Sequence, residues 1–118
     1  MKVIHIDEAP AATVVAEGAT GVTMRVPIGK ADGAPSFTMR LFELAPGGCS
    51  PRHRHPYEHE IIVWSGSGTI WGPAGEVPLA PGVVALVVPD EEHQVRAGES
   101  GLRFFCLVPH HGHNLPTR

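Results

Sequence analysis

Proline or glycine interrupts almost every window of this chain that is long enough to hold three helical turns. Inside a helix, proline removes a hydrogen bond and clashes with the preceding turn, and glycine gives up conformational entropy. Long helices are therefore excluded. Between the breakers lie short runs rich in β-branched and aromatic residues: 13–16, 22–26, 37–44, 60–64, 69–71, 77–79, 83–88, 93–96 and 102–108. Gly29 to Ser36 is a polar connection, and Ala45-Pro46-Gly47-Gly48 reads as the end of the strand before it. Ser65-Gly66-Ser67-Gly68 reads as the turn of a hairpin, and Ala97 to Gly101 as a further connection. Val83 to Val88 is the longest apolar run and suits a buried strand, whereas Pro78 marks its short run as an edge. Roughly nine or ten short strands at regular spacing predict an all-β sandwich or barrel.

Against that background, half of the 8 histidines fall into one pattern: His53, His55 and His59 in a cluster, with His93 far downstream after Pro89. Neutral imidazole is a common ligand for divalent transition metals. In extended backbone His53 and His55 point the same way, and His59 keeps their parity, although the intervening Pro56 leaves that parity open. A metal site needs ligands converging from separate segments, and His93 supplies the remote one.

Several function classes drop out on composition. The formal charge of -3 comes without any Lys/Arg cluster, so the electrostatic footprint of a nucleic-acid binder is missing. No glycine loop leads into a helix to cradle phosphate. The start, Met1 to Glu8, lacks an apolar secretory segment, and no run approaches the length of a membrane span. With 2 cysteines, Cys49 and Cys106, in unlike contexts, the expectation is reduced thiols in a cytoplasmic protein. The 118 residues form one domain, 1–118.

The segment around the histidines resembles the cupin family. Gly47, His53, His55 and Glu60 match its first motif, whose closing glycine, Gly66, comes one residue early. Gly82, Pro89 and His93 match its second motif more loosely, with Glu91 in place of an internal glycine and Ala97 in place of asparagine. The resemblance covers about residues 37–108. His53-Arg54-His55-Pro56-Tyr57-Glu58-His59-Glu60, with the closing strand Phe104 to Pro109, is similar to small single-domain cupins with four histidine ligands.

That resemblance implies a cupin-type double-stranded β-helix, a jelly-roll barrel, with little or no helix. It implies His53, His55, His59 and His93 as metal ligands, with Glu60 as the runner-up for His59 and as the one candidate acid or base. The implied metal is manganese first, with iron, nickel, copper, cobalt or zinc as alternatives. Four neutral imidazoles leave coordination positions open for a chelating substrate or dioxygen. The implied activity is oxidation of a small unsaturated or aromatic molecule, with isomerase or lyase chemistry and non-catalytic small-molecule binding as alternatives. Phe104 and Cys106 share parity on the last strand and are candidates to line the pocket. Arg40 and Arg54 could neutralise a substrate carboxylate, with solvated surface positions as their default, and His110, His111 and His113 default to an exposed tail. The resemblance also implies a homodimer, with strands in about residues 13–26 meeting the partner, and no nucleic-acid or membrane partner.

Overall fold

The computed structural model describes all residues, Met1–Arg118. It is all-β, with no helix beyond three-residue 3₁₀ turns at Ile6–Glu8, Lys30–Asp32 and His110–Gly112. Seven strands follow in order: β1 Ala12–Thr13, β2 Thr20–Ile28, β3 Phe37–Cys49, β4 His59–Gly72, β5 Gly75–Leu79, β6 Val84–Val87 and β7 Gln94–Pro109. All pairings are antiparallel, in the order β1-β2-β3-β7-β4-β5, with β6 also on β4. The sheet curls into a jelly-roll barrel.

Fewer and longer strands form than the breakers suggest. Ala45-Pro46-Gly47-Gly48 does not end β3; it makes a wide irregularity, so that Val22 pairs with Leu44 and Thr20 with Cys49. Gly47 takes a left-handed φ of 73° inside that excursion. Ser65 to Gly68 is not a hairpin turn either. β4 runs straight through it beside β7, with register shifts on both sides of Gly66. There the backbones approach so closely that a Cβ on Gly66 would meet the Gly101 carbonyl, and one on Gly68 the Arg96 carbonyl. Glycine sits here because the two paired strands approach closely at these bulges, not because the chain reverses. Ala97 to Gly101 is likewise part of the continuous β7.

Inward-facing residues of β2, β3, β4 and β7 fill the barrel, among them Met24, Phe42, Leu44, Val63, Leu102 and Phe104. Phe42 and Phe104 stack across the β3–β7 pair with ring centroids 5.3 Å apart. The run 83–88 is not a buried strand: Val84 is 70% and Leu86 58% exposed, while Val87 faces inward at 2%. β6 pairs only with β4, so one of its faces has nothing packed on it. Together with Met39, Ile62, Phe105 and Leu107 that face forms an apolar outer groove.

The N-terminal strands pair within the chain, β2 lying on β3. The C-terminal segment is docked rather than exposed, which corrects the reading of its histidines as a free tail. His110 Nδ1 lies 2.8 Å from Thr38 Oγ1, and its Nε2 lies 2.6 Å from the Ala34 carbonyl. Val14 bridges Thr117, and Val15 N–H donates to the Pro116 carbonyl at 2.9 Å.

Candidate metal centre

The loop between β3 and β4 carries His53 and His55, β4 begins at His59, and His93 immediately precedes β7. Two long strands thus fix one edge of the site, and a single backbone bridge fixes the other. His53 N–H donates to the His93 carbonyl at 3.1 Å, and His93 N–H to the His53 carbonyl at 3.0 Å. Asp90 N–H donates to the His55 carbonyl at 2.7 Å, tying the two loops together a second time.

These contacts bring one ligand atom each of His53, His55 and His93 within 4.8 Å of one another. The tautomers of two rings follow from their partners. His55 Nδ1 lies 2.8 Å from the Tyr57 carbonyl and His93 Nδ1 2.8 Å from the Glu91 carbonyl. A carbonyl only accepts, so both Nδ1 atoms carry a proton, which leaves Nε2 as the nitrogen of each ring able to ligate. His55 Nε2 is buried with no hydrogen-bond partner. An orphaned, unprotonated imidazole nitrogen beside two others fits a divalent cation. When bound, such an ion acts as a Lewis acid, or as a redox centre if it is a redox metal.

His59 is buried beside this cluster, its ring stacked on His55 with centroids 4.2 Å apart. Its Nε2 faces a different neighbour, accepting from Arg40 Nη2 at 3.4 Å. Glu60 points the opposite way, as strand alternation requires, and borders the outer apolar groove. The candidate acid or base at Glu60 is therefore outside the barrel, away from the histidines.

The electrostatics favour neutral rings. Burial first, then the neighbouring histidines and Arg40, lowers the pKa of His53 to about 4. Burial and then the Arg40 charge lower that of His59 to about 2. Burial also lowers His55, against the opposing hydrogen bond to Tyr57. Imidazoles held neutral at physiological pH are in the state that coordinates metal.

A small cavity of about 40 Å³ adjoins the cluster, lined by His53, His59, His93, Phe104 and Cys106. No carboxylate lines it. Cys106 is buried, and burial pushes its thiol pKa up against the pull of Arg40, so the thiol stays protonated. Val14 and Leu115 also line this space, and they belong to the terminal segments that bridge each other.

Tyr57 and His113 were not singled out in the sequence as part of the site, and Arg40 was named there with the surface as its default. Tyr57 stacks on His55 with centroids 4.1 Å apart and an interplanar angle of 3°. Its hydroxyl donates to Asn114 Oδ1 at 3.2 Å, and Gly112 packs against its ring. His113, buried enough to lower its pKa, feels the Arg40 charge as well. Arg40 itself is 1% exposed, not the solvated arginine expected, whereas Arg54 is exposed. Its parity with Phe42 and Leu44 on β3 is the signal that points it inward.

A jelly-roll barrel with inward histidines gathered from two loops defines a class of metal-binding β-barrel proteins. The chain belongs to the cupin family: the Cupin domain matches residues 40–108. It is 32% identical to the polyketide cyclase RemF from Streptomyces resistomycificus, over 100% of this chain and 84% of that one, with a TM-score of 0.89. A curated relative from Rhodospirillum rubrum, 1-methylthio-D-xylulose 5-phosphate methylsulfurylase, is 31% identical over 71 residues, 59% of this chain and 46% of that protein. The chain thus spans about half the length of that relative. A predicted oxalate decarboxylase from Thermotoga maritima shares the fold at 23% identity, with a TM-score of 0.80 over 92% of this chain and 98% of that one.

Proposed function

We propose that this cupin is a metal-dependent enzyme that cyclises a poly-β-carbonyl substrate, with the metal held by His53, His55, His93 and His59. The observation that carries the reading is the likeness to a polyketide cyclase along the whole chain, joined to the neutral three-histidine cluster. Mn, Fe, Co, Ni, Cu and Zn all accept such a donor set.

The reaction class is an intramolecular aldol condensation. A carbon between two carbonyls loses a proton and attacks a third carbonyl carbon, forming a C–C bond. The proton passes to the new alkoxide oxygen, and loss of that hydroxyl with a proton from the neighbouring carbon, as water, leaves the closed ring unsaturated. No oxidant is consumed. Bound metal would supply carbonyl polarisation, lowering the pKa of the carbon acid. Phe104, Cys106 and the flanking apolar residues exclude water, which strengthens every electrostatic contact inside. A cavity of about 40 Å³ is far smaller than such a substrate, so Val14 and Leu115 must move aside to admit it.

Oxidation of a small unsaturated or aromatic molecule is the second reading. It is supported by the imidazole donor set, which suits manganese or iron, and by the lack of a carboxylate for acid–base work in the cavity. One experiment separates the two. A linear poly-β-ketone is incubated with zinc- or manganese-loaded protein, with and without oxygen. Cyclisation predicts loss of water, followed by mass spectrometry, with either metal and without oxygen uptake. Product only with manganese or iron, with oxygen consumed, would establish oxidation instead.

For assembly, we infer a homodimer in which the outer groove of β4, β6 and β7 is covered by a second copy. Exposed Ile62, Val84 and Leu86 support it, since contiguous apolar surface of this kind favours association. A cytoplasmic location fits the expectation of reduced cysteines, and both thiols are free.

A further inference from the structure

Arg40 has surroundings unlike those of any paired arginine in this protein. Arg25 and Arg103 meet Glu43, and Arg52 meets Glu92, all at partly exposed positions. Arg40 is 1% exposed and has no carboxylate partner. Its guanidinium carbon lies 4.9 Å from the centroid of the Phe42 ring, and Nη2 contacts His59 Nε2 and Cys106 Sγ, each at 3.4 Å. Both are weak, neutral acceptors at the outer limit of hydrogen-bond length. Arg40 Nε is buried with no partner at all. Two more orphaned buried nitrogens, His55 Nε2 and His113 Nδ1, belong to residues that feel the same guanidinium charge.

A guanidinium stays protonated wherever it is placed, so it cannot relieve burial by losing its proton. An uncompensated buried cation costs several kcal/mol unless something anionic meets it. No acidic side chain of the chain does so. Neutral imidazoles cannot, and a divalent cation on them would add positive charge to the same compartment. The missing anion must come from outside the polypeptide.

We propose that Arg40 receives a planar oxygen anion of the ligand, a carboxylate or an enolate, inside the barrel beside the histidine cluster. Arg40 thereby selects oxygen anions over neutral isosteres. This deepens the cyclase reading, since a poly-β-carbonyl compound offers an enolate and a terminal carboxyl group. The planar N–H fork suits two oxygens held in one plane better than a point charge would. Cys106 Sγ holds Nη2 in place, together with His59 Nε2 while that nitrogen is not on the metal, and Nε has no partner for the incoming oxygen to displace.

The test uses full-length ¹⁵N-labelled protein, metal-free and zinc-loaded, titrated with acetate, with its neutral isostere acetamide, and with acetylacetone. The Arg40 Nε–H resonance and the dissociation constants are read together, with zinc content measured in parallel. We expect acetate or acetylacetonate to move that resonance and to bind at least about tenfold more tightly than acetamide. Preference for acetate assigns a carboxylate subsite, and preference for acetylacetonate an enolate subsite. In Arg40→Met the anion affinity should fall by about tenfold or more while zinc content stays at the wild-type level. That variant should also melt at a higher temperature, because an uncompensated buried charge is replaced by an apolar chain of similar length. Arg40→Lys should keep part of the affinity. Equal binding of acetate and acetamide by the wild type would overturn the proposal. So would an Arg40→Met protein that is less stable yet binds acetate unchanged, which would make Arg40 a packing residue. Loss of zinc binding in the wild type would instead strike the metal-dependent reading and leave the anion result to stand by itself.

Discussion

His53 and His93 exchange both of their backbone hydrogen bonds, at 3.1 and 3.0 Å, and so present their side chains to one point from opposite loops. This one-residue bridge makes a remote histidine a neighbour of the His53/His55 pair. Removing either ring should therefore cost far more metal affinity than removing a surface ligand. His53→Ala and His93→Ala should each weaken zinc or manganese binding by more than about a hundredfold, beyond the loss usual for outer-sphere contacts. Glu60→Ala should change it by less than about twofold, because Glu60 faces the outer groove. Competition with a chelator checks all three. Comparable losses at Glu60 and His93 would contradict the assignment.

Lowering the pH should destabilise the metal-free protein from about pH 6.5 downward. His53 and His59 have folded-state pKa values of about 4 and about 2, below the unfolded value of 6.5. Between those limits the unfolded chain binds protons that the folded chain refuses, so stability is full above 6.5 and drains away as pH falls. Thermal melts between pH 7 and pH 4 should show a steady fall in Tm. His59→Phe, which cannot titrate, should flatten it; an unchanged slope would mean that His59 takes no part.

Strand boundaries were the part of the fold least legible in the sequence. The all-β class, the gathering of His53, His55 and His93, and the turn before His93 could be read from residue types and spacing, whereas Pro56 left the parity of His59 open. Glycines and prolines at 45–48, 65–68 and 97–101 were read as turns, yet they lie inside β3, β4 and β7. A glycine that ends a strand and one that lets two strands approach closely are the same letter. Only the partner strand distinguishes them, and for Gly66 that partner is Gly101, remote in sequence. Arg40 was assigned to the surface by default for a different reason: charge argues for the surface, and only its parity with Phe42 argues against it. The C-terminal histidines were misread because docking onto Tyr57 and Thr38 is a tertiary effect.

The close approach of β4 and β7 makes Gly66 and Gly68 intolerant of any side chain. Gly66 has a φ of 84° as well as a carbonyl where its Cβ would be. Gly66→Ala should destabilise the fold by about 2 kcal/mol or more, through backbone strain and displacement of β7. Gly33→Ala, also left-handed at φ 85° but with open space around it, should cost about 1 kcal/mol. Urea denaturation measures both, and equal losses would mean that φ alone, not the close approach of the strands, sets the cost.

The proposed dimer rests on the outer groove. Leu86→Glu or Ile62→Glu places a charge on the exposed apolar face of β6 and β4 without touching the interior. Sedimentation at micromolar concentration should show a dimer for the wild type and a monomer for either variant. A wild-type monomer of 12.6 kDa would dismiss the covered groove.

The central claim, a mononuclear metal held by histidines inside this barrel, is tested most directly by X-ray absorption on zinc-loaded protein with metal content measured on the same sample. The account predicts one zinc per chain with an imidazole-nitrogen shell that includes His53, His55 and His93, at about 2.0–2.1 Å. A shell dominated by sulfur, zinc retained unchanged after His53 and His93 are replaced together, or no stoichiometric metal at all would contradict it.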